Sequence, residues 1–164
     1  MAAAAPTEAY PGAVATVQQL MELADEYRGA ALDLLQRGRR GNASSWAPAR
    51  LLAIQAIELY LNALLLSTGE DAASIRGLHH DLAKRAARAA DLGLVLRTKT
   101  AAHLQQLAGR REYLTTRYGP ELSGTWSQIN RLTATLDEVG EKVALKMTPR
   151  KPCSAKGLPA TLDA

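Results

Sequence analysis

The fold is decided by the stretch ARLLAIQAIELYLNALLL, which runs from residue 49 to residue 66. It is apolar on almost every side, which is typical of a helix surrounded by other helices. Its polar stripe consists of Gln55, Glu58 and Asn62, spaced at i, i+3 and i+7. That stripe is either a surface or internally hydrogen-bonded strip of a bundle, or a strip that faces a partner or an active-site arginine.

Four further helices are predicted around this central one, each with apolar residues at a period of 3.6. The central helix begins at Ser44 or Ser45, and residues 70–78 form a connector that can hold a short helical turn. The other helices cover roughly residues 16–37, 79–91, 97–118 and 123–146, with Gly119-Pro120 ending the fourth. We therefore expect an all-α, up-and-down bundle of about five helices at 14–147. It lies between a flexible N-terminal arm (1–13) and a disordered, basic and proline-rich tail (148–164).

The composition of the 164 residues fits a helical protein, because Phe is absent and Ala and Leu dominate. Cys153 is the single cysteine, which excludes an intrachain disulfide and a cysteine-based metal site. The apolar run is too short and too often interrupted to span a bilayer. We expect a soluble cytoplasmic protein with no membrane partner. The net charge of +4 is too small to indicate nucleic-acid binding alone.

Two other groups of polar residues have simple interpretations. His79 and His80 are adjacent, so on a helix they point about 100° apart and do not form the i, i+4 pair of a zinc helix. Capping and packing are the favoured roles, and we expect no metal and no cofactor. For the basic cluster of Arg37, Arg39 and Arg40, a solvated helix end is the favoured role, and a nucleic-acid patch is the alternative.

The sequence RREYLTTRY at residues 110–118 concentrates cations and aromatic rings. On one continuous helix, Arg111 would share an apolar stripe with Leu104, Leu107, Leu114 and Tyr118. A cation in such a stripe must be paired, lie at an interface or meet an anion. The segment therefore predicts a site.

Structural roles for the same residues remain open. Arg111 could pair with Glu58, Glu112 or Glu121, as ordinary electrostatics within the bundle. Tyr118 could be an aromatic residue at the edge of the core, and Trp46 and Trp126 are expected to be packing anchors.

Three blocks of this sequence resemble the HEPN domain, over roughly residues 16–145. They are residues 49–65, residues 77–82 (GLHHDL), and Arg111 with Tyr118. The resemblance implies a small helical bundle, usually a two-fold dimer. Many HEPN members are metal-independent RNases, often toxins, and some pair with a nucleotidyltransferase.

The active HEPN signature is an arginine, a gap of about four to six residues and a histidine, sometimes followed by x-Tyr. Here Arg111 takes the arginine position and Tyr118 the tyrosine position, but Thr116 stands where the histidine belongs. Metal-free RNA cleavage needs a base and an acid, and histidine can act as both near neutral pH. Threonine cannot take up that proton. His103 lies two helical turns before Arg111 and cannot replace the base within one chain.

We therefore expect a HEPN-like homodimer that binds RNA, a nucleotide or a protein partner and is not an enzyme. The expected binding residues are Arg110, Arg111, Tyr113, Arg117, Tyr118 and Glu58. One alternative is a toxin-like, metal-independent RNase with Arg111, Thr116 and Tyr118 as catalytic candidates. The other is an adaptor in a nucleotidyltransferase-linked toxin–antitoxin system, with Tyr118 as the residue that the partner enzyme modifies.

Overall fold

The computed structural model describes residues 10–148, and the regular secondary structure of this part of the chain is helical. Its α-helices are α1 (Val17–Leu35), α2 (Ala47–Ser67), α3 (Ala72–Gly77), α4 (Leu82–Asp91), α5 (Thr98–Gly109), α6 (Glu112–Tyr118) and α7 (Ile129–Met147). Short 3-10 helices cover Ala43–Trp46 and Pro120–Thr125. The described residues contain no β-strand beyond an isolated bridge between Arg39 and Asn42. The predicted all-α fold class is confirmed.

Helix α2 lies at the centre of the bundle, as its composition predicted. It packs along α1 and also contacts α4, α6 and α7. Ile57 and Leu61 have no exposed surface. The helical stretch 43–67 is long and apolar enough to cross a membrane, but 72% of its most apolar window is buried inside this bundle. Packing against the neighbouring helices accounts for its apolar composition.

Local capping explains where two of the outer helices begin. Thr16 and Gln19 form a reciprocal capping box at the start of α1, with bonds of 3.2 and 2.9 Å. Asp81 caps α4 by accepting from the Lys84 backbone N–H at 3.0 Å. The predicted start of that helix at His79 is therefore wrong, and the capping role belongs to Asp81.

The predicted helix at 97–118 is two helices, α5 and α6, with a break at Arg110 and Arg111. Arg111 has a left-handed backbone, with φ of +52°, so it cannot continue α5. Its side chain is exposed. The single apolar stripe that was expected to contain Arg111 is therefore wrong, and the residue that α6 buries is its neighbour Glu112.

The last helix begins at Ile129, later than the predicted start at 123 or 124. Pro120–Thr125 forms a 3-10 turn, and Trp126 and Gln128 have extended backbones in the segment that leads into α7. With α3 and the break before α6, the described residues form seven α-helices where about five were expected. The predicted arm and tail lie almost entirely outside the described residues, so those boundaries stay predictions.

Candidate functional site

The predicted arginines and tyrosines lie at the break between α5 and α6 and along the short helix α6. We call this surface the α5–α6 corner and define it by Arg110, Arg111, Tyr113, Arg117 and Tyr118. All three arginines are exposed, and Tyr118 is 74% exposed. Arg110 donates to the Thr125 carbonyl at 2.8 Å. Within residues 10–148, the ion pairs involve neither Arg111 nor Arg117. These two cations are available to an external anion.

Arg111 shapes the corner through its backbone. Its carbonyl accepts from the N–H groups of Leu114, at 2.8 Å, and Thr115, at 3.0 Å, and so begins the hydrogen-bond ladder of α6. A left-handed conformation at a residue with a Cβ costs about 1–2 kcal/mol. The surrounding structure must therefore hold α6 in place.

A buried ion pair holds α6 against α2. Glu112 has no exposed surface, and its Oε2 lies 3.2 Å from the Arg50 Nη1. Its Oε1 accepts from the Ser127 backbone N–H at 2.6 Å, which also fixes the chain that enters α7. Burial lowers the pKa of Arg50, and the Glu112 charge opposes that shift. The sequence signal for this pair was a charged Arg50 outside the polar stripe of a mostly apolar helix.

Thr116 is engaged within its own helix. Its hydroxyl donates to the Glu112 carbonyl at 2.6 Å. Where the HEPN resemblance implies a histidine, the chain has Thr116, which is hydrogen-bonded to the α6 backbone and has no proton-accepting nitrogen. The corner therefore lacks a base at the place where the resemblance implies one.

His103 lies in the core, where α5 packs against α7. It is 3% exposed, and its Nδ1 is 2.8 Å from the Thr135 hydroxyl. Burial lowers its pKa to about 4, and nearby arginines, Arg131 first, add to the effect. At neutral pH this imidazole is an uncharged core group.

Glu58 pairs within the chain with partners that the sequence did not identify. Its Oε1 lies 3.2 Å from the Arg85 Nη2, and its Oε2 lies 3.1 Å from the His80 Nδ1. Asn62 accepts from the Arg85 Nε at 2.7 Å. Glu58 and Asn62 therefore form an internal hydrogen-bonded strip that faces α4. The suggested ion pair between Glu58 and Arg111 is wrong.

His80 joins this internal strip to the corner. Its ring centroid lies 4.8 Å from that of Tyr113, with a tilt of 35° between the planes. The expected packing role of His80 is confirmed. Glu58 and Tyr113, two of the predicted binding residues, therefore both contact His80. His80 was not among the binding residues predicted from the sequence.

A groove of about 300 Å³ opens beside Glu58, and we call it the α2–α4 groove. Its apolar lining includes Leu20, Leu59 and Ile75, and its polar lining includes Asn62, Arg76 and His80.

Within residues 10–148, no three His, Cys, Asp or Glu side chains converge on a position that could hold a metal ion. No family model, curated protein or solved structure matches this chain.

Proposed function

We propose that this chain is a HEPN-like, RNA-binding helical protein whose α5–α6 corner holds RNA without cutting it. The observation that carries the proposal is the pair of exposed cations, Arg111 and Arg117, which have no carboxylate partner in the described residues and belong to the same short segment as the exposed Tyr118. Arginine binds phosphate oxygens through charge-assisted hydrogen bonds. Exposed aromatic rings stack on unpaired bases with little sequence preference.

The absence of cleavage follows from the chemistry at position 116. A positioned acid–base group contributes about 10²–10⁴-fold to a reaction of this kind. The Thr116 hydroxyl donates a hydrogen bond to a backbone carbonyl, and a threonine hydroxyl does not titrate near neutral pH. Arg111 can therefore neutralise a phosphate, while the 2′-OH of the RNA keeps its proton.

Assembly as a homodimer and location in the cytoplasm are part of the proposal. The HEPN resemblance supports the dimer. The exposure of Leu122, which is 41% exposed and lies four residues after Tyr118, is compatible with a contact there. Two copies related by a two-fold axis near Leu122 would place both corners next to each other and double the positive charge that meets an RNA strand.

The test uses the full chain with labelled single-stranded RNA at low salt, followed by filter binding and a denaturing gel. We expect the RNA to be retained and to stay intact, and retention to fall as the salt concentration rises. A protein that retains no RNA at low salt contradicts the binding role. Cleavage that disappears in an Arg111→Ala variant contradicts the non-cleaving role.

A second candidate function is the adaptor half of a nucleotidyltransferase-linked toxin–antitoxin system. The exposure of Tyr118 favours it, since a modifying enzyme must reach the phenol oxygen. Mass spectrometry after incubation with a nucleotidyltransferase encoded beside this gene, together with ATP, tests this candidate. A nucleotidyl adduct on Tyr118 supports it, and an unmodified Tyr118 contradicts it.

A further inference from the structure

We propose that the α2–α4 groove is a second binding site, distinct from the α5–α6 corner. It would take a small organic anion whose acidic group pairs with Arg76 and whose hydrogen-bonding group meets Asn62 and His80. The proposal does not depend on RNA binding, because Arg76, Asn62 and His80 are not among the residues that define the corner.

The floor of the groove is a rigid and electrically balanced frame. Glu58 is 7% exposed and Arg85 is 2% exposed, and the two side chains are paired. Arg85 also donates to Asn62 and to the carbonyls of Leu78 and Ile75. Both carboxylate oxygens of Glu58 have partners, so this pair positions other groups and leaves no net charge in the floor.

Two polar groups remain free for a ligand above this frame. Arg85 binds the Oδ1 of Asn62 and so fixes the amide, which leaves the Nδ2 as a donor. A carboxylate only accepts hydrogen bonds, so the Glu58 contact engages Nδ1 as the donor and leaves the His80 Nε2 without a partner among the described residues. The His80 side chain is 43% exposed. The groove thus offers an amide donor and a ring nitrogen in fixed positions.

The rim adds a cation. Arg76 is exposed, and its guanidinium lies 4.5 Å from the centroid of the Tyr10 ring. Among the described residues that line the groove, Glu58 and Arg85 neutralise each other, so Arg76 supplies the unbalanced charge. An anionic group is the complement of this rim.

The backbone beside the rim is held in an unfavourable conformation. His79 has a φ of +51°, in the left-handed region that residues with a Cβ avoid. This turn separates α3 from α4 and brings His79 and His80 to the groove. Strain of this kind clusters at ligand sites, where the surrounding structure maintains it.

The size and walls of the groove define the body of the ligand. A volume of about 300 Å³ lies at the lower end of small-molecule pockets, which span roughly 300–1,000 Å³. The walls contributed by Leu20, Leu59 and Ile75 are apolar. These features fit a single ring or a short chain that carries one acidic group. Carboxylates and phosphate monoesters share that chemistry, and the experiment distinguishes them.

The test follows histidine side-chain resonances by NMR in the full chain, during titration with 4-hydroxyphenyl phosphate, 4-hydroxyphenylacetate and the neutral alcohol 4-(2-hydroxyethyl)phenol, all of which carry a phenol group for Asn62 and His80. The sequence has three histidines, and buried His103 is an internal reference. We expect at least one anion to shift the His80 signal saturably at millimolar concentration, and the more effective anion identifies the preferred acidic group. The neutral alcohol should bind at least about tenfold more weakly.

Arg76→Gln is the decisive variant, because its side chain is exposed and its loss leaves the floor intact. It should weaken anion binding by at least about tenfold, as expected for a lost charge-assisted hydrogen bond. Arg40→Gln, an exposed arginine outside the groove lining, should change nothing. The proposal is overturned if neither anion gives a saturable shift, if Arg76→Gln binds as wild type does, or if the alcohol binds as well as the anions.

Discussion

Arg50 and Glu112 lie 62 positions apart in the chain and form an ion pair of 3.2 Å in which both side chains are buried. Glu112 is the first residue of α6, so this pair sets the direction of the helix that carries Tyr113, Arg117 and Tyr118. The exposed corner is therefore held by a charge pair inside the bundle.

Replacement of Glu112 by Gln should lower the free energy of unfolding by about 3–5 kcal/mol, because it leaves Arg50 buried without its counter-charge. Urea denaturation measures the change. The control is Asp137→Asn, which breaks the more exposed pair with Arg28 and should cost at most about 1 kcal/mol. Equal losses in the two variants would show that the buried pair does not hold α6.

Arg111→Gly should leave the fold intact. Glycine removes the left-handed penalty of about 1–2 kcal/mol and loses roughly 0.5–1 kcal/mol through greater freedom of the unfolded chain, so the net change should lie between zero and about 1.5 kcal/mol of stabilisation. Arg111→Val should be clearly less stable, because β-branched residues tolerate this conformation poorly. Thermal unfolding of both variants measures the difference, and a glycine variant less stable than the valine variant would contradict the backbone geometry.

Two helical glycines should respond in opposite directions to alanine. A Cβ on Gly140 would lie 3.1 Å from the Tyr60 ring, so Gly140→Ala should destabilise through overpacking by about 1–3 kcal/mol. Gly29 lies in α1 with nothing within 4 Å of an added Cβ, so Gly29→Ala should stabilise by about 0.5–1 kcal/mol. Chemical denaturation of both proteins gives the comparison. A stabilised Gly140→Ala variant would show that Tyr60 does not pack closely on α7.

His103 should make the protein less stable in mild acid. Its pKa is about 4 in the folded chain, below the ordinary value of 6.5, so the unfolded chain binds the proton more readily between these values. Stability should therefore fall by about 1–2 kcal/mol as the pH drops from 7 to 5. Burial raises the pKa of Glu138, but hydrogen bonds from Lys142, Thr100 and the Arg97 N–H outweigh that effect and hold the pKa at about 2. The stability that ionised Glu138 contributes is therefore lost mainly below pH 5.

Urea unfolding of wild type and His103→Gln at several pH values isolates the histidine. Glutamine can keep a hydrogen bond to Thr135 and does not titrate. The stability of the variant should depend less on pH between 7 and 5 than that of wild type. Identical pH dependence in the two proteins would mean that His103 is not buried in its neutral form.

Apolar periodicity was sufficient to predict the central helix and the all-α class. It failed at Arg111, since Leu104, Leu107 and Leu114 keep a helical spacing across the break. The break accompanies the pairing of Glu112 with Arg50, a contact between distant residues that no local pattern contains. Seven residues of α6 are too few to show a period of their own.

The sequence identified the residues of the candidate corner, but it did not identify the contacts that hold the predicted residues. The arginines and tyrosines of the corner were identified from their density in the sequence. The partners of Glu58 were not, because Arg85 and His80 come from the short segment around α4 and meet α2 only in the folded chain. The strain at His79 also depends on how α3 and α4 are joined.

The most direct test of the central claim is the salt dependence of RNA retention by two charge-matched variants. One combines Arg111→Gly with Arg117→Gln, and the other combines Arg39→Gln with Arg40→Gln at an exposed cluster outside the corner. We predict that the corner variant retains RNA more weakly than wild type and that its slope of log K against log salt becomes shallower by about 1.4, for two lost phosphate contacts on a single strand. The second variant should behave as wild type does. Equal retention by the two variants would contradict the assignment of RNA binding to the α5–α6 corner.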